Sequence, residues 1–359
     1  MRRNTRRINA VLFNGPGTSS IESFELAVCE PDQVIVETIY SFVSPGTELR
    51  IFAAGDQEEN GKPSFPVIPG YSYVGRIIEV GSEVKGWAEG ELVTGRNPLP
   101  IPGVHQYYGG QASHHRCEVT GYDAVLKLPD CAVPWDYVTV EVAAISWRGV
   151  TAAFPAPGET AVVVGQGMIG AFAAKWLLYH GAKVIVTDLE ESRLDRARGW
   201  SVTAAVNGAD KHVREKILKH CHEGANIVIE ASSSRAGCEL ASSILQNPAP
   251  RRMNTGYQVN QLHSNAHAWP RLVIQAGYDF TMEMSPGGLG AAEGVLMLKP
   301  GDRTVDDRLA VIERIRCGDL KVEDIADKAV PVTEAQQQYV QLRDNPGQAS
   351  SLVFKWNEA

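Results

Sequence analysis

The sequence predicts an α/β protein in which a β-rich domain precedes a doubly wound parallel-sheet domain, with a last segment returning to the first. Three observations carry this reading. Residues 8–150 alternate short apolar runs with Gly/Pro turns. From about 158 the pattern changes to strand–helix alternation. At the change stands Ala161-Val-Val-Val-Gly-Gln-Gly-Met-Ile-Gly170, a run of β-formers that feeds a glycine turn and then a helix. The expected division is 1–148, 149–302 and 303–359.

In the first domain strands are expected at Ala10–Phe13, Gln33–Ile39, Tyr73–Val80, Leu92–Thr94, His114–Val119 and Val125–Leu128. Many short strands punctuated this way form a compact, partly open barrel. In the second, strands are expected at 160–164, 183–187, 203–206 and 226–230, and helices at 168–180, 190–199, 211–221 and 235–246. Ala310–Arg316 and Thr333–Arg343 read as helices and Ser351–Trp356 as a terminal strand. Residues 247–270 are polar and interrupt the alternation where a fifth strand is due. That strand is expected at Arg271–Ala276, which makes the stretch an insertion, either a surface excursion or a flap or subunit contact. Glu293–Pro300 is an apolar run closing the sheet. As an edge strand it predicts a homodimer that extends the sheet across a two-fold axis, and a strand covered by its own chain is the alternative.

The glycine turn implies a ligand. Gly165 permits the tight turn, Gly167 lets backbone approach a pyrophosphate and Gly170 lets helix and strand pack. Met168 and Ile169 open the helix, whose free N–H groups and positive dipole end suit phosphates. The second strand ends in Asp188, about 20 residues on, where a carboxylate accepts from both adenosine ribose hydroxyls and repels a 2′-phosphate. NAD(H) is therefore expected over NADP(H), with Arg193 flanking the adenine.

A net charge of −8 gives no electrostatic footprint for nucleic acid or an anionic membrane. The basic start (Arg2, Arg3, Arg6, Arg7) lacks a following apolar run, so a solvated tail is expected rather than a signal peptide. No 18-residue apolar stretch predicts a membrane span. Six scattered cysteines without a C-x-x-C pair suit a reducing cytoplasm.

Four stretches in order resemble the medium-chain dehydrogenase/reductase superfamily: Ser44-Pro-Gly-Thr-Glu48, Pro69-Gly-Tyr-Ser-Tyr-Val-Gly75 through Val80-Gly81, Gly109-Gly-Gln-Ala112 with Lys127-Leu-Pro129, and Glu141 through Gly170. The resemblance covers nearly the whole chain and implies a GroES-like catalytic domain joined to a Rossmann domain. In the zinc-dependent members a Cys, a His-Glu pair and a further Cys or Glu surround the catalytic metal. The matching positions here are Pro45, Tyr71, Ser72 and Glu141, and only the last is a zinc ligand by type. The lobe that holds structural zinc in relatives spans about 95–110 here and contains no cysteine. No metal is therefore expected. His105, His114 and His115 are nearby, but His114 and His115 face opposite sides of one strand.

Without zinc, a hydrogen-bond donor must polarise the carbonyl and a side chain must move the proton. By the resemblance Thr47 is the hydroxyl that touches the substrate oxygen, Tyr71 lies near the nicotinamide, and Glu141 lies beside both as an orienting base. The competing readings are a Tyr71 ring that fills the vacated cavity, a salt bridge from Glu141 to Arg148 or Arg50, and Thr47 as the cap of a helix beginning near Glu48. The expected activity is interconversion of a secondary alcohol and a ketone on a small polar molecule: a sugar, a cyclitol or a natural-product intermediate. The Ser-Pro-Gly-Thr-Glu stretch also resembles that of bacteriochlorophyllide dehydrogenases. The alternatives are quinone- or enone-type C=C reduction, or a catalytically silent NAD-binding structural protein.

Overall fold

The computed structural model describes residues 5–53, 65–245, 269–275, 295–326, 329–345 and 352–356. It divides into two compact units, 1–144 with 304–359, and 145–303. In the first, β1 (Arg6–Gly15) and β2 (Thr18–Leu26) form a hairpin, followed by β3 (Gln33–Val43) and α1 (Pro45–Ala53). Then come β4 (Val67–Ile68), β5 (Ser72–Val80), β6 (Leu92–Gly95), β7 (His105–Gln106), β8 (His114–Glu118) and β9 (Leu126–Lys127). Helix α2 (Val140–Ala152) carries the chain into the second unit.

There β10 (Thr160–Val164), α3 (Met168–Tyr179), β11 (Lys183–Asp188), α4 (Glu191–Arg198) and β12 (Ala204–Asn207) form the first half. The second half is α5 (Val213–Leu218), β13 (Ile227–Glu230), α6 (Arg235–Ser243), β14 (Arg271–Ile274) and β15 (Leu296–Leu298). The return comprises α7 (Val305–Arg316), β16 (Ala329–Pro331), α8 (Ala335–Asp344) and β17 (Leu352–Lys355).

Among the described residues the second unit's strands are all parallel in the order β12-β11-β10-β13-β14-β15, the doubly wound plan with its switch between β10 and β13. Val162, Val164, Ile185, Val228 and Leu272 are buried in its sheet, as fits strands covered on both faces. In the first unit β16-β17-β3-β5-β6-β9 make one sheet, with β8 also on β3, and β2-β1-β4-β7 make another. Their core gathers Phe13, Phe52, Tyr339 and Phe354, with the Tyr339 ring edge-on to Phe13 at 4.9 Å.

Several expectations need correction. Strand β2 was not expected, because Thr18–Leu26 is largely polar with a mostly exposed or half-buried pattern; it forms because β1 offers a full antiparallel ladder. Helix α7 starts at Val305 rather than Ala310, on a capping box in which Thr304 and Asp307 satisfy each other's backbone amides. Helix α1 starts at Pro45, so Thr47 is not its cap. Ser44 precedes the helix and its carbonyl accepts from the amides of Thr47 (3.1 Å) and Glu48 (2.8 Å), with proline at the first helical position. Most of the 247–270 insertion lies outside the described residues, as do Glu293 and Gly294. The rest of that apolar run is β15, the sheet's last strand, with Leu296 and Met297 exposed. Among the described residues no helix is long and apolar enough to cross a membrane.

Candidate functional site

The glycine turn of the second unit joins β10 to α3. Gly165 has φ +91°, and a Cβ there would meet Ser232 backbone at 2.8 Å, so both conformation and space demand glycine. A Cβ on Gly170 would lie 1.8 Å from the Gly165 carbonyl oxygen. At Gly167, the residue preceding α3, a Cβ would meet nothing within 4 Å. That glycine leaves an open approach to the first-turn amides of Met168 and Ile169, which have no acceptor within the helix. The Ile169 carbonyl is held by Ser146 Oγ at 2.8 Å.

Asp188 ends β11 beside this turn. Its Oδ2 accepts from the Gln166 amide (2.6 Å) and its Oδ1 from the Glu190 amide (2.9 Å), with Arg193 Nη1 at 3.5 Å from Oδ2. The carboxylate thus pins the glycine turn to the next strand, and Oδ1, with one amide on it, keeps a lone pair for a further donor. Glu230, at the end of β13, is buried and accepts from the Ser232 amide at 2.8 Å. The motif reading missed Gln166 and Glu230, although both stand at the carboxyl ends of parallel strands, where dinucleotides bind in such sheets. The open cradle at Gly167, the unpaired helix amides and the acid at Asp188 fit a dinucleotide.

In the first unit Tyr71 is nearly buried, and its hydroxyl donates to Ser44 Oγ at 2.9 Å. The Tyr108 ring stands edge-on to it at 5.6 Å; Tyr108 is itself exposed and holds φ +71°. Thr47 is half-buried in the first turn of α1. Glu141 is fully buried, and its Oε1 accepts from Arg308 Nε at 2.7 Å, with Arg308 Nη1 also donating to the Ala124 carbonyl. The salt-bridge reading of Glu141 therefore holds, but with Arg308 of α7 in place of Arg148 or Arg50. Ser44 is the partner that the structure gives to Tyr71, not the expected Glu141.

These positions do not make a zinc donor set. Pro45 has no donor atom, Ser72 Oγ is buried and donates to the Val138 carbonyl at 3.1 Å, and Glu141 is committed to Arg308. Among the described residues no three His, Cys, Asp or Glu side chains gather as a metal group. His115 is buried against the Tyr73 ring at 4.0 Å, and burial pushes its pKa down to about 3. His114, on the other face of β8, shares a hydrogen bond with Ser113 Oγ. Around 95–110 the chain is tied by Arg96 Nε to Asp123 at 2.8 Å and by the Ile101 amide to Gln106 Oε1 at 2.7 Å.

Sequence reasoning also missed Glu48, which lies fully buried in the first turn of α1. Its Oε1 accepts from the Ser44 amide (2.8 Å), and its Oε2 from the Tyr339 hydroxyl (2.5 Å) and Gln111 Nε2 (3.2 Å). Burial pushes its pKa up to about 7 although all three donors pull it down. The available signal was an acid four residues after a serine at the start of a helix.

Two family models match the chain: the alcohol dehydrogenase GroES-like domain over residues 30–150, and the zinc-binding dehydrogenase model over 168–249. The chain thus matches models of two dehydrogenase domains in sequence order and is a dehydrogenase-type oxidoreductase. An uncharacterized zinc-type alcohol dehydrogenase-like protein, YdjJ of Escherichia coli K12, is 26% identical over 61% of this chain and 68% of its own length. An L-threonine 3-dehydrogenase of Pseudoalteromonas atlantica is 29% identical over 47% of this chain and 54% of its own. The chain thus spans between about half and just over two thirds of these relatives. Among solved structures, an Escherichia coli oxidoreductase/dehydrogenase of unknown specificity superposes with TM-score 0.82 at 20% identity, covering 98% of this chain and all of that one. An Escherichia coli alcohol dehydrogenase holding NADH superposes at TM-score 0.80 and 17% identity. A Sinorhizobium meliloti protein holding NADP does so at 0.79 and 18%, and each pairing covers 98% of this chain and 99% of the other. These structures share the fold, and they hold both forms of pyridine nucleotide.

Proposed function

We propose that this chain is a zinc-independent, NAD(H)-dependent dehydrogenase that interconverts a secondary alcohol and a ketone on a small polar substrate, with Tyr71 as the residue that moves the proton. The observation that carries the reading is the Tyr71 hydroxyl, hydrogen-bonded to Ser44 at the position that holds a metal ligand in zinc-dependent relatives. Pro45 and Ser72 at the flanking positions, and Glu141 neutralised by Arg308, support a site built on hydroxyls rather than metal. A bound nicotinamide supplies or accepts the hydride at the substrate carbon. Tyr71 gives its proton to the oxygen in reduction and takes it back in oxidation, while Thr47 contributes a second hydroxyl. Asp188 at the end of β11 favours the nucleotide without a 2′-phosphate.

The exposed Leu296 and Met297 on the last strand of the parallel sheet support two-fold pairing of the chain. The net charge of −8 and the unbridged cysteines support a cytoplasmic enzyme that binds neither nucleic acid nor membrane. The test is threefold: fluorescence titration with NADH and NADPH, turnover on a panel of polyols and their ketones, and elemental analysis of protein purified without a metal-affinity tag. NADH preference, turnover of at least one alcohol–ketone pair, and far less than one zinc per chain are expected. Stoichiometric zinc, or binding without turnover, overturns the reading.

A further inference from the structure

Glu48 stands in an arrangement that the chemistry proposed above does not use. Trp356 Nε1, a donor only, points at Ser41 Oγ (2.8 Å), so Ser41 must donate onward to Gln111 Oε1 (2.5 Å). That fixes the Gln111 amide and turns its Nε2 toward Glu48 Oε2. Gly70, at φ +87°, makes the passage possible, because a Cβ there would meet Gln111 Cγ at 2.5 Å. Tyr339 donates to Glu48 from α8, and the Ser44 amide donates from the start of α1.

Every one of these donors is neutral. Three donors favour the carboxylate, and complete burial without a cation among them opposes it. Burial outweighs the donors and raises the Glu48 pKa to about 7. On the far side of the same serine, Oγ accepts from the Tyr71 hydroxyl. One residue, Ser44, therefore separates a buried acid from the proposed proton donor.

We infer that Glu48, acting through Ser44, is a positioning residue that sets how readily the Tyr71 hydroxyl gives up its proton. When Tyr71 releases its proton to the substrate oxygen, the Ser44 hydroxyl turns to donate to the phenolate, which solvent later reprotonates. A negative Glu48 behind Ser44 opposes that phenolate, and a neutral Glu48 does not. Reduction is thereby favoured below the Glu48 transition and oxidation above it. The other titratable or charged groups on α1 and on the packed α8 are Arg50, Tyr339, Arg343 and Asp344; Arg343 is taken by Asp344 and lies over the Phe52 ring.

This inference rests on the reading of Tyr71 as proton donor, so its test is independent of substrate. Protein labelled with ¹³C at tyrosine Cζ is titrated between about pH 5 and 9, and the Tyr71 resonance is assigned by its loss in Tyr71→Phe. The wild-type resonance should show an inflection near 7 that disappears in Glu48→Gln. In Tyr339→Phe, which removes a donor to the carboxylate, the inflection should move up by roughly one unit, and it should shrink in Ser44→Ala. A Tyr71 resonance without that inflection, or one that keeps it in Glu48→Gln, overturns the inference. If the inflection behaves as expected but Tyr71→Phe turns over normally, it is the reading of Tyr71 as donor that fails.

Discussion

Arg308 Nε lies 2.7 Å from Glu141 Oε1, and neither side chain is exposed. The pair joins the start of α2 to α7 in the returning segment. Two charges buried together gain little net stability, but one left alone is costly. Glu141→Gln should therefore destabilise the protein by about 3 kcal/mol, and Glu141→Ala by about 3–5 kcal/mol, in urea unfolding. Replacing both residues by Leu and Met should recover most of the loss. A Glu141→Gln protein as stable as wild type but slow in turnover would return the carboxylate to the chemistry.

The glycines of the β10–α3 turn should separate folding from binding. Gly170→Ala places a methyl 1.8 Å from the Gly165 carbonyl and should lower the melting temperature by several degrees. Gly167→Ala meets no protein atom within 4 Å and should melt as wild type. On the proposed function it should nonetheless weaken dinucleotide binding by roughly tenfold or more, because the methyl would stand where the pyrophosphate is proposed to approach. Equal binding by wild type and Gly167→Ala in calorimetry would place the nucleotide elsewhere.

Removing the charge at Asp188 should relax cofactor choice. Asp188→Asn keeps one oxygen for the Gln166 or Glu190 amide and removes the repulsion of a 2′-phosphate. NADPH affinity should rise relative to NADH by roughly tenfold, a difference of about 1.4 kcal/mol. A wild type that already prefers NADPH would show that Arg193 outweighs the acid.

Two buried groups of the first unit should tilt stability in opposite directions with pH. Glu48 is raised from 4.5 to about 7, so between those values the folded chain keeps a proton that the unfolded chain has lost. Stability from this group is greatest below about 4.5 and falls by about 3 kcal/mol as pH rises through the folded value. His115 is lowered from 6.5 to about 3, so its contribution is present above 6.5 and lost as pH falls toward the folded value. Glu48→Gln should remove the decline toward neutrality and expose the acid-side loss due to His115. Urea midpoints at pH 5 and 8 that shift equally in wild type and Glu48→Gln would contradict this.

Loss of the Tyr71 hydroxyl tests the chemistry most directly. Tyr71→Phe should cut turnover by roughly 10²–10⁴-fold with dinucleotide affinity unchanged. Wild-type turnover in that variant would make the ring a filler of the vacated cavity and leave Thr47 or water to move the proton.

The second unit was legible residue by residue, because a parallel sheet covered by helices leaves strong local marks. Apolar β-runs, glycines at the turn and Asp188 at the next strand's end all fall within 28 residues of one another. The side-chain types at Pro45 and Ser72 were equally legible, since neither is a usual zinc ligand whatever the fold does. Partnership was not. The sequence by itself determined the strand–helix plan, the glycine turn and the chemical types present at the candidate site positions, because these depend on side-chain identity and short-range spacing. Only the tertiary structure decided that Arg308, 167 residues away, neutralises Glu141, and that Tyr71 bonds to Ser44. It alone also closed Tyr339 and Gln111, both neutral donors, over Glu48. Burial and pairing of charge are properties of surfaces brought together by folding, and no local pattern encodes them.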